Sequence, residues 1–186
     1  GDLRYGENPH QQAAWYAVEP EGGLGTAAVL QGKELSFTNL LDLDAAARLV
    51  AEFEEPAAAV IKHTNPCGAA TGLTIAEAYV RARDADSLAA FGGVVGLNRP
   101  IDEETARALV ASYIEVVVAP DAVPEARAIL SSKPKMRVVL AGAAEPSGGA
   151  PGREVRTIWG AALVQDRDRV IEAQAPLVTL NWLACP

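Results

Sequence analysis

Four short apolar runs, each bounded by polar or turn-forming residues, limit most strongly what this chain can fold into. The runs occupy residues 57–61, 94–97, 114–119 and 137–141. Each has the length of a buried β-strand, and the flanking Pro, Gly and charged residues leave too little room for a helix. Segments of helical length lie between the runs, and this alternation is typical of parallel βαβ units. The sequence therefore predicts an α/β protein.

Hydrophobic spacing and capping residues predict four helices. Leu43, Ala46 and Val50 share one face of a helix that begins near Asn39 and is ended by Pro56. The predicted helices cover residues 39–55, 74–83, 103–111 and 124–130. Weaker patterns predict further strands at residues 13–18, 27–30 and 155–164, and loops at residues 19–25 and 142–152.

The size and charge of the chain argue against several classes of protein. With 186 residues, 49% of them apolar and 5% aromatic, it can bury a core built mostly from Ala, Val and Leu. A formal net charge of −8 argues against nucleic acid or an anionic membrane as the main partner, because both attract clustered basic residues. A small anionic ligand is still compatible with this charge, since it needs only a local positive pocket.

The cysteines and the start of the chain predict a reducing, cytoplasmic setting. No apolar run approaches the roughly 18 residues of a membrane-spanning helix, and the first residues do not have the pattern of a signal peptide. The two cysteines, Cys67 and Cys185, form no C-x-x-C pair and no disulfide-rich pattern. The chain begins without Met, which suggests a piece of a longer protein.

The apolar run at residues 57–61 leads directly into the polar sequence KHTNPCG, the strongest candidate for a reactive site. Ligands of open α/β sheets bind just beyond the carboxyl ends of strands. His63 can exchange a proton near neutral pH, and Lys62 supplies positive charge where a reacting oxygen becomes negative. The alternative is structural: Lys62 extends into solvent and His63 hydrogen-bonds the loop. The spacing of the two residues leaves both interpretations open.

Three other places in the sequence are candidates for a ligand site. Arg4 and Tyr5 could grip an anion, although the surrounding segment RYGENPHQQ, which includes His10, is also typical of a surface loop. Gly92 could let a ligand approach the backbone, or it could simply form a tight turn. Glu115 interrupts an apolar run, so its carboxylate either faces solvent or binds something.

Two alternative chemistries would involve Cys67. Pro66 and Cys67 match half of the P-C-x-x-C signature of zinc deaminases, but Ala70 stands where the second cysteine belongs, and no H-x-E occurs in the chain. A hydrolase built on Cys67 and His63 would need an orienting third group and an oxyanion hole, and the sequence marks neither. We therefore predict no metal site and no cysteine nucleophile.

Six blocks of the sequence carry a family resemblance. They are LRYGENPHQ at 3–11, GKELSFTNLLDLDAA at 32–46, IKHTNPCGAA at 61–70, SLAAFGGVVGLNRP at 87–100, EVVVAP at 115–120 and VRTIWGAALVQDRD at 155–168. In this order they resemble the AICAR transformylase region of the bifunctional purine biosynthesis proteins. The resemblance covers nearly all of the chain to about residue 168.

The resemblance implies a formyltransferase. Members of the family transfer a formyl group from 10-formyltetrahydrofolate to the 5-amino group of AICAR, a purine-precursor ribonucleotide, and a separate N-terminal domain closes the product to IMP. By motif, His63 would be the base that takes a proton from the amine, and Lys62 would stabilise charge on the formyl oxygen. The substrate-binding residues implied are Arg4, Tyr5, His63, Gly92 and Glu115.

The resemblance also implies a fold and an assembly. The family's transformylase region resembles two cytidine-deaminase-like α/β units in tandem, without zinc, and its active site is completed across a homodimer. We expect residues 1–170 to form the first unit, with three layers around a central mixed β-sheet, and residues 171–186 to match no part of the family. The cyclohydrolase domain and the second unit, which supplies much of the folate pocket, have no counterpart in the chain. The alternative function is therefore a non-catalytic nucleotide-binding or dimerisation module.

Overall fold

The chain divides into two compact units, Gly1–Pro146 and Ser147–Pro186, in a computed structural model that describes residues 1–17, 23–142 and 153–166. The strands of the first unit are β1 (Ala28–Gln31), β2 (Ala57–Lys62), β3 (Asn65–Thr71), β4 (Val94–Leu97), β5 (Val116–Ala119) and β6 (Arg137–Leu140). Its helices are α1 (Phe37–Ala51), α2 (Ile75–Ala85), α3 (Ser87–Ala90), α4 (Glu103–Ala111) and α5 (Pro124–Leu130). The described part of the second unit is a hairpin of β7 (Arg153–Ile158) and β8 (Ala161–Asp166).

The six strands of the first unit form one mixed sheet in the order β1-β6-β5-β4-β2-β3. Strands β4, β5 and β6 are parallel, whereas β2 runs antiparallel to both of its neighbours, β3 and β4. The predicted α/β class and mixed sheet are confirmed. The parallel arrangement expected from the alternating pattern is wrong for β2, because a two-residue turn reverses the chain into β3 before the next helix begins.

Helices cover both faces of the sheet, and each face has its own core. On one face, α1 packs its buried side chains against alternate residues of the strands, as the period of two in a strand requires. The larger members of this core are Leu43, Val50, Ile61, Val116 and Val139. On the other face, α2, α4 and α5 cover a second core, whose larger members include Val60, Tyr79, Leu109, Val117 and Leu130. The predicted three-layer arrangement follows from these two cores.

Helix α1 begins two residues earlier than predicted, because Ser36 caps it. The Ser36 hydroxyl accepts a hydrogen bond from the Asn39 amide (3.3 Å), and the Asn39 side chain accepts one from the Ser36 amide (3.1 Å). This reciprocal pair satisfies backbone N–H groups that would otherwise lack partners at the helix start. The helix ends at Ala51, several residues before Pro56.

Other predicted boundaries differ in places from those of the structure. The strand predicted at 27–30 is confirmed as β1, but the single strand predicted at 155–164 is wrong, since Trp159 and Gly160 form a turn there and Gly160 has φ of 72°. In the region predicted as a strand at 13–18, the described residues form only an isolated bridge between Asp2 and Ala14. Most of the loop predicted at 142–152, and all of residues 171–186, lie outside the described residues.

None of the helices in the described ranges is both long enough and apolar enough to cross a membrane.

Candidate functional site

The carboxyl end of β2 and the amino ends of β4, β5 and β6 meet at one edge of the sheet. Ile61 pairs with Val94, Val94 with Val116, and Val116 with Arg137, with about 4.8 Å between neighbouring strands. We term the polar and turn residues at or next to this line the polar edge. They are Lys62, His63, Gly92, Glu115 and Arg137. Strands β2 and β1 contribute their carboxyl ends here, because β2 runs antiparallel to β4 and β1 runs antiparallel to β6.

The Lys62 ammonium group is held at the polar edge by backbone carbonyls. Its Nζ donates to the Ala89 carbonyl (3.3 Å) and to the Phe91 carbonyl (3.1 Å), at the end of α3. The side chain is half-buried, so it does not extend freely into solvent as the structural alternative assumed. These two bonds fix a positive charge beside Gly92.

His63 lies in the tight turn between β2 and β3. Lys62 pairs with Asn65, and the two residues between them have positive φ angles, 54° at His63 and 62° at Thr64. Two central residues with positive φ are the mark of a type I′ hairpin turn, which usually contains Asn-Gly. The Thr64 hydroxyl (2.6 Å) and the Asn65 side-chain amide (2.8 Å) donate to the His63 carbonyl. The loop bonds thus use the His63 backbone, and the residue is exposed.

Helix α1 supports this turn through Asp42. The Asp42 carboxylate accepts a hydrogen bond from the Thr64 amide at 2.6 Å, and the carboxylate is half-buried against the turn. The spacing of residues 42 and 64 gave no signal for this contact.

Cys67 forms a bulge in β3 rather than part of a reactive pair. Val60 pairs with Gly68 and Ile61 with Pro66, so the ladder skips Cys67. Burial raises the pKa of the Cys67 thiol, nearby Lys62 partly opposes this effect, and two carboxylates raise the pKa further. A raised thiol pKa disfavours the thiolate that a nucleophile requires.

Gly92 combines a tight turn with an open surface. Its φ is 74°, which favours glycine, and its amide donates to the Tyr113 carbonyl at 2.8 Å. The rings of Phe91 and Tyr113 stack beside it, with centroids 4.7 Å apart and both rings largely exposed. The sequence gave no sign of this aromatic pair, because the two residues lie on different connections between helix and strand.

Glu115 forms an ion pair with a buried arginine. Its Oε1 lies 3.0 Å from Arg137, whose side chain is only 4% exposed, whereas that of Glu115 is 45% exposed. Arg137 Nε also donates to the carbonyls of Lys33 and Glu34, at 3.1 Å each. The carboxylate therefore has both a partner and access to solvent, and Arg137 was missed as a site residue because it begins an ordinary apolar strand.

Arg4 and Tyr5 are tied to the start of α1. The Arg4 amide donates to the Leu35 carbonyl (3.0 Å), and the Phe37 amide donates to the Tyr5 carbonyl (3.1 Å). The Arg4 guanidinium carbon lies 5.2 Å from the centre of the Tyr5 ring, and a cavity of about 480 Å³ lined by residues 2–4 and 9–14 adjoins them. Both Arg4 and His10 line this cavity.

One helix therefore connects the two parts of the predicted site. Phe37 contacts Tyr5, and Asp42 contacts the turn that carries His63. Phe37 and Asp42 are five positions apart, which corresponds to roughly 7.5 Å along the axis of α1. Lys62, Gly92, Glu115 and the turn share the polar edge, while Arg4 and Tyr5 are bonded to the start of the helix that contacts the turn.

A second cavity, of about 340 Å³, lies at the opposite edge of the sheet. Its lining includes Phe53, Leu97, Arg99, Val118 and Ala141, and none of the predicted site residues. Among the residues that the structure describes, no group of three His, Cys, Asp or Glu side chains is arranged to hold a metal ion.

A three-layer α/β fold with a Lys-His pair at a solvent-open sheet edge defines a class of protein suited to polar small-molecule chemistry. The chain belongs to the AICARFT/IMPCHase bienzyme family, whose model matches residues 1–183. The family resemblance predicted from the six sequence blocks is thereby confirmed. The expectation that residues 171–186 match no part of the family is wrong, because the match extends to residue 183.

Curated relatives agree with this assignment. The chain is 54% identical over 182 residues to the bifunctional purine biosynthesis protein PurH of Cyanothece sp., covering 97% of this chain and 34% of that protein. It is 52% identical over 171 residues to the PurH protein of Rhizobium leguminosarum bv. trifolii, covering 90% of this chain and 32% of that protein. The chain spans about a third of the length of the relatives it matches.

Proposed function

We propose that this chain carries the first half of an AICAR formyltransferase site of purine biosynthesis. The observation that carries the proposal is the Lys-His pair at the polar edge, within a chain of the bienzyme family. Two backbone carbonyls fix the Lys62 ammonium group, and His63, the next residue in the chain, is exposed. An immobile cation beside an accessible imidazole supplies both groups that acyl transfer to a weak amine requires.

The proposed reaction joins the 5-amino nitrogen of AICAR to the formyl carbon of 10-formyltetrahydrofolate. His63 takes a proton from the attacking amine, and Lys62 stabilises the negative charge that develops on the formyl oxygen. The bond from the formyl carbon to N10 of the folate then breaks, and N10 regains a proton as tetrahydrofolate leaves. The folate acts as co-substrate, and the mechanism uses no resident metal.

Arg4, Tyr5, Gly92 and Glu115 are proposed to bind the nucleotide. Arg4 is exposed and adjoins a cavity, so its guanidinium can pair with the phosphate of AICAR. Gly92 has no side chain to block a ligand from its backbone, and the Glu115 side chain is 45% exposed, which leaves it accessible for hydrogen bonds to a ligand.

The proposal extends to fold family and assembly. We propose that residues 1–170 form the first of two cytidine-deaminase-like units, that residues 171–186 lie outside this unit, and that the protein acts as a cytoplasmic homodimer. Since the chain spans about a third of its relatives, a non-catalytic nucleotide-binding or dimerisation module is the second candidate for the chain by itself.

Calorimetry with AICAR and a formyl-transfer assay separate the two candidates. We expect the full-length gene product to turn over and the 186-residue chain to bind AICAR. Replacing both Arg4 and Tyr5 with Ala should weaken AICAR binding, and a Lys62→Met change should lower kcat by about 100-fold or more. Full affinity in the Arg4→Ala, Tyr5→Ala protein would contradict the assigned pocket, and unchanged kcat in Lys62→Met would contradict the catalytic assignment.

A further inference from the structure

We propose that Asp42 is a positioning residue that holds the His63 turn in its active shape. The inference rests on the proposed function of His63 as the base. It starts from one contact, the 2.6 Å hydrogen bond from the Thr64 amide to the Asp42 carboxylate.

The turn that carries His63 is one that its residues do not favour. Both His63 and Thr64 have positive φ, and a β-branched residue such as Thr rarely adopts this conformation. A type I′ turn normally uses Asn-Gly at these two positions. Strained backbone of this kind persists only where the surrounding structure enforces it.

Asp42 is placed to enforce it. The ladder bonds pair Lys62 with Asn65, so the Thr64 amide lies at the tip of the hairpin, and Asp42 is its acceptor. Asp42 lies within α1, next to the fully buried Leu43, which anchors the helix to the core. The acceptor is therefore rigid, and it ties the tip of the hairpin to the core of the first unit.

The direction of the imidazole depends on this anchor. His63 is exposed, and the bonds around it use its carbonyl rather than its ring. The backbone of residues 63 and 64 thus sets where the ring points, while Lys62 is fixed independently by Ala89 and Phe91. Loss of the Asp42 bond would move the base and leave the cation in place.

The test compares four variants of the full-length gene product: Asp42→Ala, Asp42→Asn, Thr64→Gly, and Asp42→Ala combined with Thr64→Gly. Asp42→Ala removes the acceptor, whereas Asp42→Asn keeps an acceptor oxygen without the charge. Thr64→Gly relieves the strain, because glycine adopts positive φ freely. The matched control is Asp44→Ala, which removes a carboxylate from the same helix. Among the described residues, the ion-pair partner of Asp44 is the exposed Arg48.

We expect Asp42→Ala to lower kcat by about 10- to 100-fold with little change in the KM for AICAR, since misplacing a reacting group acts on the chemical step. Asp42→Asn and the combined Asp42→Ala, Thr64→Gly variant should recover most of kcat, and Asp44→Ala should match the unaltered protein. Hydrogen–deuterium exchange in the peptide that contains Thr64 should accelerate in Asp42→Ala and not in Asp44→Ala.

Three results would overturn the inference. They are equal losses in Asp42→Asn and Asp42→Ala, no recovery from Thr64→Gly, and unchanged exchange at the turn in Asp42→Ala. The first would assign the effect to charge, and the other two would assign it to something other than the turn. Absence of formyl transfer in the unaltered protein would refute the proposed function, whereas the exchange comparison would still decide whether Asp42 holds the turn.

Discussion

At the scale of single residues, Cys67 illustrates how surroundings set chemistry. The thiol lies at a bulge beside the polar edge, where burial raises its pKa more than Lys62 lowers it, and Asp86 and Asp42 act in the same direction as burial. A raised pKa keeps the thiol protonated at pH values where an ordinary cysteine is partly thiolate. Closeness to His63 in the sequence therefore does not make Cys67 a nucleophile.

Alkylation measures this directly. At about pH 8.5, near the ordinary pKa of cysteine, we expect iodoacetamide to label Cys67 more slowly in the folded chain than in the urea-denatured chain. The difference should shrink as pH rises, because the thiolate fraction of the folded protein then increases. Mass spectrometry of the peptide containing Cys67 gives both rates, and faster labelling of the folded chain would contradict the raised pKa.

Motifs identified some of the residues of the candidate site, and long-range contacts supplied the rest. Lys62 and His63 could be selected because their chemistry is visible in the side chains themselves. Asp42 and Arg137 could not, because each acts through a partner 22 residues away. The sequence immediately around Asp42 or Arg137 contains no motif that indicates such a partner.

At the scale of elements, the hairpin of β2 and β3 is the main feature that the sequence misrepresented. Pro66 and Gly68 are typical of turns and favour a loop after Lys62, yet both lie in β3. Proline is tolerated there because β3 is an edge strand, with only β2 as a neighbour. The actual turn contains His and Thr, which carry no turn signal. The four longer helices were predicted from their caps and apolar spacing, whereas the four-residue α3 was missed.

Close packing of α1 on β4 depends on a glycine. A Cβ atom at Gly96 would lie 2.7 Å from the Ala46 carbonyl oxygen, on the backbone of α1. We expect Gly96→Ala to lower the free energy of unfolding by about 1–3 kcal/mol, because α1 must shift to admit the methyl group. Urea titration followed by circular dichroism measures the change.

The control for this prediction is Gly142→Ala. A Cβ at Gly142 would meet nothing within 4 Å, so the same substitution adds the methyl group without a clash. Equal unfolding midpoints for the two variants would show that α1 and β4 do not require glycine at their contact.

At the scale of the whole first unit, one buried guanidinium joins three separate parts of the chain. Arg137 connects β6 to Glu115 before β5 and to the carbonyls of Lys33 and Glu34 before α1. Arg137→Met would keep much of the packing and leave these oxygens without their donor. We expect a loss of about 1–3 kcal/mol in the free energy of unfolding, since the Glu115 end of the pair is partly solvated.

Arg48→Met provides the comparison for Arg137→Met. Arg48 forms an exposed pair with Asp44 at 2.8 Å, and such pairs contribute about 0.5 kcal/mol or less. Thermal unfolding of the two variants should therefore show a clearly larger decrease in Tm for Arg137→Met. Similar decreases would mean that the buried network does not connect the elements energetically.

The general architecture was predictable because it follows from strand and helix lengths, which the apolar pattern records. The strand order and the reversal of β2 depend on which strands pair, and pairing partners leave no mark on a single sequence. For that reason the α/β class was anticipated, whereas the meeting of the carboxyl ends of β1 and β2 with the amino ends of the parallel strands at the polar edge was not.

The bulge at Cys67 also bears on the order of events when the chain folds. Without the bulge, β2 and β3 could pair in a regular register, with Lys62 opposite Pro66 and a three-residue connection between them. The native alignment, one residue out of step with that arrangement, brings the Thr64 amide to the Asp42 carboxylate. The regular register can form before α1 has packed on the sheet, because it does not require the bond to Asp42. We therefore expect the native register of this hairpin to form late in folding, after α1 has docked.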